Sequence, residues 1–143
     1  MMNCNSNTAP LIDTTTESCN NGCVPKDINV VCKTIVIPAG QNILGIQGEV
    51  NANKRVFLIP KTTDNEDDLS GKSFSIIVKD TSDNVEEIEV QSDETLENYI
   101  KLEWLISENV LKTSGNIYVQ IKASSENFIW KTYPAKFLVV ESL

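Results

Sequence analysis

From Val30 to the end of the chain, short apolar segments rich in Val, Ile, Phe, Tyr and Trp alternate with Gly, Asn, Asp and Ser, the pattern of strands and turns at close intervals. "VVCKTIVI" (30–37) reads as a first strand followed by a turn at "PAGQN", and "KRVFLI" (54–59) as the next, ended by Pro60, which lacks the amide a central ladder needs. In "SFSIIVK" (73–79) a two-residue period puts Phe74, Ile76 and Val78 on one face and Ser75, Ile77 and Lys79 on the other. "EEIEV" (86–90) closes a hairpin through "DTSDN". "NYIKLEWL" (98–105) sends Ile100, Leu102 and Trp104 one way and Tyr99, Lys101 and Glu103 the other, which makes Trp104 the main core anchor. In "SENVLKTSG" (107–115) the alternation breaks: Ser107 suits the cap of one helical turn, Val110 and Leu111 suit a lid over one end of the core, and Gly115 suits a left-handed stop. "NIYVQIKA" (116–123), "NFIWK" (127–131) and "AKFLVVE" (135–141) complete the series. The expected fold is all-β, an immunoglobulin-like antiparallel β-sandwich of seven or eight strands spanning residues 30–143. No fixed-period repeat supports a solenoid or propeller.

Residues 1–29 break with this pattern. They are rich in Asn, Thr, Ser and Cys and poor in large apolar side chains, so they cannot bury enough surface to offset their own ordering entropy. This segment reads as an extended arm that gains order by laying its backbone along a partner, with Cys4, Pro10, Leu11, Ile12, Cys19, Cys23 and Val24 as the contacting residues.

The 143 residues, 41% of them apolar, suit a single compact domain beside that arm. No run of about 18 apolar residues suits a membrane-spanning helix, and the asparagine-rich start lacks the basic-then-apolar order of a secretory signal. A net charge of -8 argues against a nucleic-acid surface. Neither membrane nor nucleic acid is expected as a partner.

All four cysteines fall within 4–32, and their spacing is not that of a zinc ribbon, although four thiolates can bind zinc tetrahedrally. The expected state is free thiols at packed or interfacial positions, with a disulfide, either Cys19 with Cys23 or an arm cysteine with Cys32, as the alternative. "DNEDD" (64–68) and "DTSDNVEEIE" (80–89) concentrate carboxylates in turns, but neither has the EF-hand order of ligands, and solvated hairpin loops are expected. The chain has no histidine, which removes the commonest general base and metal ligand, and "GIQGEV" lacks the spacing of a phosphate-binding loop. An enzyme is not expected, nor is a cofactor or metal. Trp130 and Tyr133 in "FIWKTYPA" are the candidates for stacking on a sugar ring, against a packing role for both.

The segments "ILGIQGEVNANKRVFLIPKTTDNEDDLSGKSFSIIVKD", "IKLEWLI" and "SGNIYVQIKASSENFIWKTYPAKFLV" together resemble the amino-terminal module of the baseplate upper proteins of phages that infect Gram-positive bacteria, and the short clostridial phage head fibre proteins. The resemblance covers about residues 32–143 and rests on an "IQGE" turn before an apolar strand, "DLS" before the next, "WL" before the helical turn and "W.TYPA" before the last strand. Gln47, Gly48, Asp68, Leu69, Trp104, Trp130, Pro134 and Ala135 match the pattern, as fold-forming positions. The resemblance implies a non-enzymatic virion protein, made in the host cytoplasm and carried on the exterior of the particle. Its implied partners are the major capsid protein or other virion proteins, with further copies of itself in an oligomer or symmetric array. The chain stops directly after the last strand, with no coiled-coil shaft behind it, which favours a capsid-decorating protein of the head fibre kind over a tail baseplate adaptor. A carbohydrate-binding adhesion module is the third expectation.

Overall fold

The computed structural model describes residues 27–143. They form 11 strands: β1 (Ile28–Val31), β2 (Thr34–Val36), β3 (Ile43–Ile46), β4 (Lys54–Pro60), β5 (Ser73–Lys79), β6 (Val85–Val90), β7 (Ser92–Asp93), β8 (Tyr99–Leu105), β9 (Gly115–Ser125), β10 (Phe128–Lys131) and β11 (Ala135–Val140). Sheet A has the order β2-β1-β4-β8-β7, and sheet B the order β3-β11-β9-β5-β6 with β10 also on β9.

The two-residue period decides which side chains meet between the sheets. Sheet A turns Ile28, Val30, Phe57, Ile59, Ile100, Leu102 and Trp104 inward, and sheet B turns Phe74, Ile76, Val78, Ile117, Val119, Ile121, Phe137 and Val139 to meet them in one core. Trp104 stacks on Phe57 with ring centroids 6.3 Å apart. Each such fully buried side chain contributes roughly 1.5–3 kcal/mol. Val110 and Leu111 are buried at one end of the core, as their place in a short turn suggests, but the carbonyl oxygen of Ser107 accepts from both of their N–H groups rather than its hydroxyl capping them.

Arg55 sits where alternation calls for an apolar residue, in line with Phe57 and Ile59, and it is buried. Its guanidinium donates to the carbonyl oxygens of Lys54 and, across to sheet B, Ile43, which joins the sheets where a hydrophobic residue could not. Burial lowers its pKa from the ordinary guanidinium value.

The sandwich departs from the sequence expectation in four ways. Residues 30–37 are a hairpin rather than one strand: Val31 pairs with Thr34, and Cys32 and Lys33 form the two-residue turn between them with φ of 49° and 70°. Two-residue hairpin turns match strand twist best when both residues have positive φ, a conformation usually signalled by Asn or Gly, so Cys-Lys gives no warning. The strand count is 11 rather than eight because that segment splits into β1 and β2, and because β3 and β7, at four and two residues, carry too little alternation to be read. The sheets are mixed: β1 runs parallel to β4 and β3 parallel to β11, pairings that depend on long-range topology. β1 begins at Ile28, so the first strand takes in the last two residues of the arm as bounded from sequence.

Candidate functional site

The "IQGE" segment is a junction of three chain regions. Glu49 N–H donates to the Ile46 carbonyl oxygen at 3.1 Å, and Gly48 at φ 93° takes the position that a type II turn reserves for glycine. Gln47 N–H reaches the Val140 oxygen at the end of β11 (2.8 Å), Gly48 N–H the Leu111 oxygen (3.0 Å), and the Gln47 side-chain amide the Lys112 oxygen (3.2 Å). The Glu49 carboxylate accepts from Ile46 N–H at 2.6 Å and from Asn53 Nδ2 at 3.0 Å, which holds its pKa below the usual carboxylate range.

The acidic loops close on themselves. In 64–68, Thr63 N–H donates to the Asp67 oxygen and Asp67 N–H to Thr63 Oγ1, while the Asp68 carboxylate accepts from Ser70 N–H at 2.8 Å. Leu69 is buried and its N–H donates to the Lys61 oxygen at 2.7 Å, so the "DLS" match marks the point where this loop re-enters the core. In the β5–β6 turn, Asp80 Oδ1 accepts from both Ser82 and Asn84 N–H, and Asp83 takes φ 63°. The N–H donors keep the pKa values of Asp68 and Asp80 low, those of Ser70 and Asn84 foremost.

The "W.TYPA" match forms a bulge. Lys131 pairs with Lys122 and Ala135 with Val119, so four steps along β10 and into β11 oppose three along β9. Buried Thr132 fills the kink: its N–H donates to the Ile121 oxygen (2.9 Å), its Oγ1 accepts from Ile121 N–H (3.0 Å), and its carbonyl accepts from Gln120 Nε2 (2.9 Å). Pro134 follows, where no ladder amide is required. Trp130 is only 7% exposed and belongs to the core, whereas Tyr133 is 63% exposed. The two rings therefore do not form a shared platform for a sugar. Sequence alternation gave no sign of Thr132 or Arg55, since neither a Thr nor an Arg at an inward position announces what it will bond.

Sheet B carries an open groove of about 400 Å3 on its outer face. Ile77, Val85, Tyr118 and Pro134 give it apolar surface, and Lys79, Lys131, Glu87 and Gln120 give it polar groups. Lys79 and Lys136 are the cross-strand neighbours of Tyr118 on β5 and β11. Glu87 accepts from Ser75 Oγ at 2.8 Å and from Lys122 Nζ at 3.0 Å, and these bonds, with Ser75 foremost, hold its pKa down.

Of the arm residues singled out from sequence, Cys4, Pro10, Leu11, Ile12, Cys19, Cys23 and Val24 lie outside the described residues, and so does the Cys19–Cys23 pairing. Cys32, on the β1–β2 turn, is disulfide-bonded, not the free thiol expected from sequence.

No family model matches the chain, and no curated protein matches it. Among solved structures it is similar to the N-terminal domain of ORF48 of phage TP901-1, with 12% sequence identity and a TM-score of 0.43, over 83% of this chain and 98% of that one.

Proposed function

We propose that the protein is a non-enzymatic structural component of a bacteriophage particle, of the capsid-decorating head fibre kind, which docks through its N-terminal arm and carries the sandwich outward on the particle surface. The observation that carries this reading is the use to which the resemblance residues are put. Gln47 and Gly48 tie the turn to the ends of two other segments, Leu69 and Trp104 fill the core, and Pro134 and Ala135 carry the chain out of the bulge into β11. The shared pattern thus specifies a frame, as expected of a module whose task is to be held and repeated. The composition of residues 1–26 supports their role as the docking element, and repetition of weak arm contacts over a symmetric particle gives avidity. The absence of histidine from the sequence supports a non-enzymatic role.

A sugar-binding role for Trp130 with Tyr133 has less support, because Trp130 is buried. Deleting residues 1–26, which leaves β1 whole, tests the reading: the truncated protein should no longer bind particles that lack their own copy. A truncated protein that still decorated them would overturn the assignment of the arm.

A further inference from the structure

The groove on the outer face of sheet B has an unusual chemistry for a chain with net charge -8: an apolar floor at Ile77, Tyr118 and Pro134, with the ammonium groups of Lys79 and Lys131 around it; its one carboxylate, Glu87, is already paired with Lys122 at 3.0 Å, and Lys79 lies 3.4 Å from the exposed Asp83 of the β5–β6 turn. Tyr118, 45% exposed, stands between Lys79 and Lys136 across the strands. An occupant that suits this surface is extended, has an apolar side chain for the floor and carries carboxylates. We propose that in the free protein the groove seats the chain's own segment 10–17, "PLIDTTTE". The inference rests on the reading of residues 1–26 as a docking arm and adds where that arm is kept before docking.

Three observations converge on this occupant. The first is chemical complementarity. With β-branched Ile12 and Thr14 to Thr16 favouring an extended backbone, Leu11, Asp13 and Glu17 fall on one side by the two-residue period. Leu11 meets the floor, and the two carboxylates, roughly 13 Å apart at the rise of a strand, meet the lysines. The second is the anchor. Cys32 is disulfide-bonded, and the chain's other cysteines, Cys4, Cys19 and Cys23, all precede residue 27. Lys33, beside it, accepts from Tyr133 N–H at 2.7 Å, and the residues flanking Tyr133 in the chain include Pro134 of the groove. The third is reach. Segment 10–17 begins or ends within six residues of each of those three cysteines, and six extended residues span roughly 20 Å. A tether of that length holds the segment at an effective concentration in the millimolar range. The seated arm is withheld from other surfaces until a particle displaces it.

A photo-crosslinking benzoylphenylalanine placed at Val85 tests the seat in particle-free, full-length protein. Val85 lines the groove and is 64% exposed, so the probe does not disturb the core. After reduction, trypsin releases residues 1–26 as one peptide and 80–101 as another, because neither has an internal Lys or Arg. The expected product is a monomer-sized species in which 80–101 is joined to residues 10–17. Replacing both lysines, Lys79→Glu with Lys131→Glu, should lower the yield of this crosslink several-fold, read on the longer tryptic peptide 73–101 because the variant lacks the cleavage site after residue 79. Crosslinks that avoid 1–26, crosslinks found only in dimer-sized species, or a yield unchanged by the lysine replacements would each overturn the proposal. No particle is involved, so failure here leaves the docking role standing. Conversely, a truncated protein that still bound particles would sink the docking role without touching the crosslink.

Discussion

The backbone N–H of Tyr133 donates to the carbonyl oxygen of Lys33 at 2.7 Å, fastening the β1–β2 turn of sheet A to the bulge of sheet B. The turn is the one place in the hairpin where two consecutive non-glycine residues, Cys32 and Lys33, adopt positive φ. Left-handed backbone costs an L-residue roughly 1–2 kcal/mol that glycine avoids, partly offset by glycine's greater freedom when unfolded. Lys33→Gly should therefore raise stability by about 0.5–1 kcal/mol in urea unfolding, with the carbonyl contact to Tyr133 retained. A loss of stability would mean that the lysine side chain matters more than its backbone.

Thr132 should tolerate Ser far better than Val. Valine removes the hydroxyl that accepts from the buried Ile121 N–H, and an orphaned buried donor costs about 1–3 kcal/mol. Thr132→Val should lose stability in that range and Thr132→Ser much less. Equal losses would show that the methyl group, and not the hydroxyl, holds the bulge.

Gly115 and Gly40 separate conformation from space. Both have positive φ, 119° and 86°, but a Cβ on Gly40 meets nothing, whereas on Gly115 it would lie 2.7 Å from Thr81 Cγ2. Gly40→Ala should cost about 1–2 kcal/mol for conformation alone. Gly115→Ala should cost more, and Gly115→Ala combined with Thr81→Ser should recover the difference. Identical losses for the two single variants would remove the steric argument.

Stability should fall on acidification below about pH 4, the ordinary carboxylate range. Asp80, Asp68, Asp93, Glu49 and Glu87 all have pKa values lowered in the folded protein by hydrogen bonds they accept. Where the folded pKa lies below the unfolded one, the unfolded chain binds more protons, so the stabilisation is present above the unfolded value and is lost as pH falls through the folded one. Asp80→Asn should flatten part of the acid limb of a stability-against-pH curve. An unchanged limb would assign the acid sensitivity to the other four carboxylates.

Much of the sandwich is legible in the sequence because burial repeats every second residue in β4, β8, β9 and β11, where Trp104 and Phe137 point as alternation requires, and in β5 apart from Ser75, which is buried on the other face where its hydroxyl meets Glu87. The acidic hairpins are legible for the same local reason, since Asp and Asn bond the backbone of their own turns. What sequence conceals is non-local. The β1–β2 turn at Cys32 and Lys33 lacks turn residues and is stabilised from Tyr133 across the sandwich. The inward-facing Arg55 makes sense only once β3 brings the Ile43 carbonyl to it. The groove around Tyr118 likewise joins side chains from β5, β6, β9 and the bulge, which no stretch of sequence places together.

The central claim, that this is a structural protein on the outside of a phage capsid, is tested most directly by difference cryo-EM of particles made with and without its gene. The account predicts density lost from the outer surface of the capsid shell, a sandwich of the shape described above, with an arm of residues 1–26 running from it to the capsid. Density lost only at the tail tip would place the protein in the baseplate, and intact density everywhere would contradict a virion role altogether.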